Sequence, residues 1–331
     1  MNIAVLGAGR IGAFHARTLA DHDDVGEVVV ADVDGERARS VADSCGGRVA
    51  GSVDDAIGAA DAVVLAASTS AHVELVERAA AARRATYCEK PVAFTTGDLG
   101  RAIAAIDDAG VPFQVGFQRR FDAGFAEARR RIGADDIGRV YALRMVSADR
   151  EPPPAGYVST SGGIFRDMHV HDFDALRFLT GAEVVEVYAT GALLGLDTVD
   201  PHGDDSASAL VMTLSDGTLA TLTGARQHAR GYDVRVEVSG TEGTLAIGLD
   251  PRTPMSSAEG GVAFPDGDPY TGFLDRFAPA YRAEMAAFVD LAAGRGPNLC
   301  TGADALAALR AALAAGLSRV EHRPVRVDEI T

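Results

Sequence analysis

Lysine is nearly absent: of the 31 basic residues in the 331-residue chain, only Lys90 is not arginine. Cysteine is scarce as well. Cys45, Cys88 and Cys300 stand far apart and form no CxxC pair, which argues against a disulfide framework or a zinc ribbon and for free thiols in a reducing compartment. No run approaches the ~18 uninterrupted apolar residues of a membrane span. The first strand-like segment opens at Asn2 with no basic or apolar leader before it, so a cytoplasmic protein with no membrane partner is expected. Positive charge is also in short supply: a net charge of −16 and a pI near 4.9 would repel phosphodiester backbones, which excludes nucleic acid as a partner of the bare surface. The one basic cluster, Arg129, Arg130 and Arg131, reads as a solvated helix face.

The hydrophobic fraction of 47% and charged fraction of 24% are those of a globular chain, and the length suits two domains with their own cores. Short apolar runs at Asn2 to Leu6, Val28 to Ala31, Ala62 to Ala67, Ala85 to Cys88 and Phe113 to Gly116 alternate with helical stretches around His15 to Leu19, Val73 to Ala82 and Thr96 to Asp107. That order predicts βαβ units and a doubly wound parallel sheet over residues 1–120. From residue 121 to 331 the pattern changes. Tyr141 to Ser147, Val184 to Ala192, Ala207 to Leu214, Thr218 to Gly224, Val234 to Val238 and Thr244 to Ile247 read as longer strands, several of them alternating apolar and polar residues. Turn chemistry at Ser215-Asp216-Gly217 and Gly240-Thr241-Glu242-Gly243 predicts hairpins, hence an open antiparallel sheet in an α+β domain. Helices over Gly163 to Leu179, Ala280 to Ala293 and Ala303 to Ser318 frame it, and Pro251 to Pro269, rich in Gly, Pro and Ser, reads as a loop.

Gly7-Ala8-Gly9-Arg10-Ile11-Gly12 follows a strand, opens a helix, and is answered about 20 residues on by Asp32 at the end of the next strand. In that context the glycines let the backbone approach a pyrophosphate at a helix N-terminus, and the acid accepts ribose hydroxyls. Asp32 favours NAD over NADP, because a carboxylate would meet the 2′-phosphate with like charge; Arg10 tempers that preference. Ser68 and Thr69 stand where such sheets bind ligands, though a plain helix cap explains them equally well. Lys90, in Cys88-Glu89-Lys90-Pro91, falls at the same edge, and Glu89 is its natural partner. Where arginine has displaced every other lysine, the survivor either marks a need for a compact ammonium or persists by chance. Asp167 and His171 are spaced i, i+4, the arrangement of a carboxylate-supported general base and equally of a surface ion pair. His169, His171, Asp172 and Asp174 are dense in potential ligands, but His169 and His171 point to different helix faces, so no metal is expected.

With Tyr87-Cys88-Glu89-Lys90-Pro91, Val115-Gly116-Phe117-Gln118-Arg119-Arg120-Phe121-Asp122, the Asp167…His171 pair, Gly231-Tyr232-Asp233 and Arg276-Phe277…Ala280-Tyr281…Glu284 in order, the chain resembles the Gfo/Idh/MocA oxidoreductases over nearly its whole length, and among them the inositol 2-dehydrogenases. The resemblance implies oxidation of a secondary hydroxyl on a cyclic polyol, myo-inositol to 2-keto-myo-inositol, with NAD as cofactor. It implies Lys90 on the reacting hydroxyl, His171 as the base and Asp167 assisting, and it decides between the two readings of that pair. Cofactor contacts fall by the same resemblance on Gly7, Gly9, Arg10, Ile11, Gly12, Asp32, Val33, Ser68, Thr69, His72, Glu89, Gln118 and Arg119. Substrate contacts fall on Lys90, Arg119, Asp149, Glu151, Tyr157, Asp167, His171 and Tyr232. A homodimer or homotetramer through the C-terminal sheet is also implied.

One segment departs from the family pattern. Asp149-Arg150-Glu151, followed by Pro152-Pro153-Pro154, stands where inositol dehydrogenases tend to carry His-x-Asn, and acids there change which hydroxyls are read or favour an amino group. A pyranose sugar or an aminocyclitol is therefore the rival substrate. An NAD-dependent glycoside hydrolase, which would release no net NADH, and a cofactor-sensing regulator are rivals of other classes; the intact Lys90, Asp167 and His171 speak against the last.

Overall fold

The first apolar run forms β1, Asn2–Leu6, buried along its length beyond Asn2. Five more short strands align with it in the computed structural model, which describes residues 1–265 and 267–331. These are β2 (Glu27–Ala31), β3 (Arg48–Val49), β4 (Ala62–Leu65), β5 (Ala85–Glu89) and β6 (Phe113–Gly116), in the order β3-β2-β1-β4-β5-β6 with every pairing parallel. They alternate with α1 (Arg10–Ala20), α2 (Gly35–Cys45), α3 (Val53–Ala59), α4 (Thr69–Ala81) and α5 (Thr96–Ala109). The central strands are apolar throughout because parallel strands are covered on both faces. On one face Ile3, Val5, Val28, Val30, Val64 and Tyr87 pack with Ala16 and Leu19 of α1. The strand order reverses between β1 and β4, and in open sheets of this kind that switch point is where ligands bind.

The remaining elements are α6 (Ala123–Gly133), β7 (Val140–Ala148), α7 (Ala155–Ser161), α8 (Ile164–Asp167), α9 (Val170–Thr180), β8 (Val184–Ala192), β9 (Ala207–Leu214), β10 (Leu219–Ala225), β11 (Asp233–Gly240), β12 (Thr244–Ile247), α10 (Phe273–Ala292), α11 (Gly302–Glu321) and β13 (Val325–Arg326). The second sheet runs β12-β11-β7-β10-β9-β8-β13. It is antiparallel except that β10 runs parallel to β7, so the expected antiparallel sheet is mixed at one pairing. Both predicted turns form. Gly217, at φ +85°, takes the left-handed position between β9 and β10, and β11 and β12 pair antiparallel across the second turn. Along β10 buried and exposed residues alternate strictly, the period-2 signature of a strand covered on one face.

The helix predicted over Gly163 to Leu179 is broken into α8 and α9 at Met168-His169. The His169 side chain turns fully inward there, and a pattern of apolar spacing does not register such a break. By contacts the first unit is Met1–Phe121 with Pro279–Leu306, and the second Asp122–Ala278 with Ala307–Thr331. A single cut near residue 120 leaves Pro279–Leu306 with the second half, whereas Met285, Phe288 and Val289 of α10 belong to the first core. In the expected loop Pro251 to Pro269, Asp266 lies outside the described residues. Among the described residues no helix is long and apolar enough to cross a membrane.

Candidate active site

Helices α2, α3, α5 and α6 each begin on a side-chain cap, from Asp34, Ser52, Thr95 and Asp122. Helices α1 and α4 do not: the N-cap residues Gly9 and Ser68 place no side chain on the helix N–H groups, and neither first turn carries an acid. These two helices follow β1 and β4, the strands that flank the switch point. Their first N–H groups thus receive no side-chain cap, and with the positive dipole end they form the kind of helix start that suits an anion. The glycine turn is built to match. A Cβ on Gly7 would stand 2.5 Å from the Ala66 backbone, one on Gly12 would stand 1.9 Å from Gly7 O, and one on Gly9 would meet nothing within 4 Å. Gly7 therefore packs on the backbone just after β4, Gly12 packs on Gly7, and Gly9 leaves its outer side open. These residues fit a dinucleotide pyrophosphate.

Asp32 follows the last residue of β2. Its Oδ2 accepts from Ala8 N at 2.6 Å and its Oδ1 from Asp34 N at 2.8 Å, which locks the carboxylate across the glycine turn. The neighbouring Val33 is fully exposed, an apolar side chain left in water beside Asp32. Sequence reading missed Arg37, whose guanidinium lies 3.6 Å from Asp32 Oδ1 and 3.3 Å from Asp34 Oδ2. It sits one turn into α2 with no motif to mark it. Arg10 is exposed at the start of α1, and Ile11 is half-buried behind it. Ser68 Oγ meets Ser70 Oγ at 3.2 Å, and Thr69 opens α4.

His72, expected at the cofactor, is buried with Nδ1 3.0 Å from Pro91 O and Nε2 3.1 Å from Ala67 O. Burial lowers its pKa, against the pull of those carbonyls. The neutral ring donates to one of these carbonyls only, and lying between them the side chain ties the loop after β4 to the loop after β5. Glu89 is likewise turned inward, onto His15, Tyr87 and the backbone N–H of Lys90. Lys90 itself is half-buried at the carboxyl end of β5, beside β4. Gln118 and Arg119, both 2% exposed, lie in a single 3₁₀ turn, Gln118–Phe121, just past β6.

In the second unit Asp167, the last residue of α8, is held at both oxygens. Tyr157 OH donates to Oδ1 at 2.6 Å and Arg226 Nη1 to Oδ2 at 2.7 Å. Arg226 is 1% exposed, and its other terminal nitrogen reaches Asp204 Oδ2 at 3.0 Å. Burial acts to discharge this guanidinium, but Asp167 and then Asp204 outweigh it and raise its pKa above the ordinary value. Asp204 Oδ1 in turn accepts from Ile164 N, so the same acid caps the start of α8. Tyr157 is 47% exposed as a residue, yet its hydroxyl end is enclosed, and that enclosure followed by the Asp167 charge pushes the phenol well up. Neither Arg226 nor Asp204 was legible in the sequence: they lie 59 and 37 residues from Asp167 with no spacing relation to it.

The two histidines after the break between α8 and α9 differ in burial. His169 is fully buried, with Nδ1 2.8 Å from Asp172 Oδ2 and Nε2 2.7 Å from Ser208 Oγ, and Ser147 Oγ donates to Asp172 Oδ1 at 2.6 Å. That chain pins α9 to β7 and β9. His171 is only half-buried. Asp149, just past β7, donates its backbone N–H to Ala225 O, and Glu151 is exposed in the following bend. Tyr232 is buried, with its ring edge-on to Phe277 at 6.3 Å between centroids. Among the described residues no group of three or more His, Cys, Asp or Glu is arranged to hold a metal ion.

Comparison with known proteins identifies the family. Residues 1–117 match the model of an oxidoreductase family with an NAD-binding Rossmann fold, and residues 125–246 the GFO/IDH/MocA C-terminal domain. Among curated relatives, the myo-inositol dehydrogenase Hyg17 of Streptomyces leeuwenhoekii is 42% identical over 95% of this chain and 96% of its own. Among solved structures, a probable dehydrogenase from Thermotoga maritima is 33% identical, with a TM-score of 0.93 and complete coverage of both chains. The scyllo-inositol dehydrogenase of Lactobacillus casei, solved with bound NAD(H) and scyllo-inositol, is 27% identical with a TM-score of 0.88 over 99% of each chain. The chain is a member of the GFO/IDH/MocA oxidoreductase family.

Proposed function

We propose that the chain is an NAD-dependent dehydrogenase of a cyclic polyol, oxidising myo-inositol to 2-keto-myo-inositol. The observation that carries this reading is the pair of uncapped helix starts at the switch point with the chain's one lysine at the same sheet edge. The full-length likeness to proteins named as inositol dehydrogenases supplies the substrate class. The nicotinamide, when bound, supplies the hydride acceptor. Lys90 hydrogen-bonds the oxygen of the reacting hydroxyl, and His171 takes its proton. Asp167 keeps its negative charge beside Arg226 and stabilises the imidazolium that forms.

NAD is preferred to NADP because the Asp32 carboxylate occupies the place a 2′-phosphate would need; Arg37 beside it offsets part of that repulsion. Mixing the protein with NAD and a panel of inositols, pyranoses and aminocyclitols is expected to give NADH fastest with an inositol, and at least about tenfold more slowly when NADP replaces NAD. Turnover confined to a pyranose or an aminocyclitol would move the substrate, and a faster rate with NADP would refute the role given to Asp32.

The exposed face of the second sheet carries Tyr188, Val211 and Leu219, with Tyr141 on β7, each at least 41% exposed. Tyr188 stands opposite Val211 across β8 and β9. An apolar row of this kind, on a face the chain itself does not cover, suits a second copy of the chain. Light scattering at micromolar concentration is expected to give at least twice the 34.3 kDa monomer mass; a monomer there would remove the assembly.

A further inference from the structure

Three charged side chains meet just past the carboxyl end of β2, and the glycine fingerprint accounts for Asp32 alone. Asp34 caps α2: its Oδ1 accepts from Glu36 N and from Arg37 N, each at 3.1 Å. Its other oxygen, Oδ2, accepts from Arg37 Nη2 at 3.3 Å, and the same nitrogen lies 3.6 Å from Asp32 Oδ1. One guanidinium nitrogen thus stands between two carboxylates. The Arg37 N–H first of all, then the Glu36 N–H and the guanidinium charge, hold the Asp34 carboxyl below its ordinary pKa, so it is an anion at neutral pH.

The distances separate what each group does. At 3.6 Å Arg37 is outside hydrogen-bond range of Asp32 and acts on it by charge. Asp32 accepts one backbone N–H at each oxygen, from Asp34 and from Ala8, and a carboxylate has about four lone-pair directions, so each oxygen keeps one for a ribose hydroxyl. The hold of Asp34 on Arg37 is weak, because 3.3 Å is long for a charge-assisted bond and the two side chains are 47% and 48% exposed. A 2′-phosphate on the same ribose would bring more charge than one carboxylate, with oxygens spaced for the fork of a guanidinium.

We propose that Asp34 and Arg37 set how strictly the chain refuses a 2′-phosphorylated dinucleotide: Asp34 draws the guanidinium to the start of α2, and Arg37, once released, turns to the phosphate. The assignment rests on the dinucleotide reading of the glycine turn and Asp32. Asp32 repels the phosphate, Asp34 adds to that repulsion and withholds a cation, and Arg37 works the other way. Arg37, and not Arg10, is then the cation that reads the 2′-substituent. Arg10 opens α1, where the pyrophosphate shared by both dinucleotides belongs, so its loss acts on both alike.

Calorimetric titration of the full-length protein with NAD and with NADP, no polyol being present, tests this through the ratio of the Kd for NADP to the Kd for NAD. Arg37→Ala should raise the ratio about tenfold, the worth of a hydrogen bond to a charged group. Asp34→Asn, whose amide oxygen still caps α2, should lower it about threefold. In the Arg37→Ala background the same Asp34→Asn change should lower it by less, because no guanidinium is left to release. A ratio that Arg37→Ala leaves unmoved, a selective loss of NADP in Arg10→Ala instead, or NADP bound no better by Asp34→Asn than by wild type would overturn the proposal while NAD still bound. A wild-type chain that bound neither dinucleotide would overturn the cofactor site itself, and this proposal with it.

Discussion

Lys90→Met is expected to lower kcat by about 10²- to 10⁴-fold, the range that a positioned proton-handling or hydrogen-bonding group supplies, while NAD binds within about twofold of wild type. The reasoning starts from composition. Thirty-one basic positions hold arginine with one exception, and the exception stands at the carboxyl end of β5 beside the switch point. A compact ammonium on a flexible stem can follow a hydroxyl oxygen as it loses its hydrogen; a planar guanidinium presents a fixed fork and is bulkier. Lys90→Arg should therefore recover little of the loss although charge is kept. Methionine preserves the apolar stem, and the groups that meet the pyrophosphate and ribose lie on other loops, so the dinucleotide should still bind. Calorimetric titration with NAD beside steady-state NADH formation separates the two effects. A Lys90→Met variant that kept a tenth or more of wild-type kcat would remove Lys90 from the reaction.

Arg226→Met is expected to cost both stability and turnover. Removing one partner of a buried ion pair leaves uncompensated charge, which costs roughly 3–5 kcal/mol. Here two carboxylates lose their shared cation: Asp167, and Asp204, which also caps the start of α8. A fall in Tm on the order of 10 °C follows for a unit of this size. Turnover should fall as well, because Asp167 would keep only the Tyr157 hydroxyl of the two side chains described as holding it and would be driven toward its neutral form, which cannot stabilise an imidazolium. Arg226→Lys separates the effects: it restores one positive charge but cannot span two carboxylates, so part of the Tm should return. An Arg226→Met variant with wild-type Tm and kcat would mean that the bridge holds nothing the reaction uses.

How much of this was legible depended on the range over which each signal acts. The parallel strands of the first unit declare themselves as unbroken apolar runs that stop at polar residues, and β8, β9 and β12 match their predicted limits because alternation and turn residues are local properties. The glycine turn, Asp32 and Lys90 were readable for the same reason. What escaped reading is non-local. The parallel pairing of β7 with β10 follows from a strand order that no hairpin signal encodes. The division of the helix expected over Gly163 to Leu179 falls where His169 turns in to Asp172 and Ser208, and Ser208 is 39 residues away. Arg226 reaches Asp167 across 59 residues and Glu284 reaches Tyr87 across 197, so their partners exist only once the chain has folded. His72, expected at the cofactor, lies buried between two backbone carbonyls, surroundings that its position in the sequence did not announce.

The uncapped starts of α1 and α4 also bear on how the fold is maintained. A side-chain cap is worth about 1 kcal/mol, so the first unit without a ligand forgoes roughly 2 kcal/mol that its capped neighbours retain. For a domain held by only ~5–15 kcal/mol that is a large fraction. A dinucleotide whose pyrophosphate met these helix ends would offset it: at 100 times its Kd a ligand stabilises the folded chain by about 2.7 kcal/mol, a figure that already contains those contacts. Bound dinucleotide would therefore protect the fold as well as accept the hydride, and the chain without it is the form that unfolding and proteolysis would reach first.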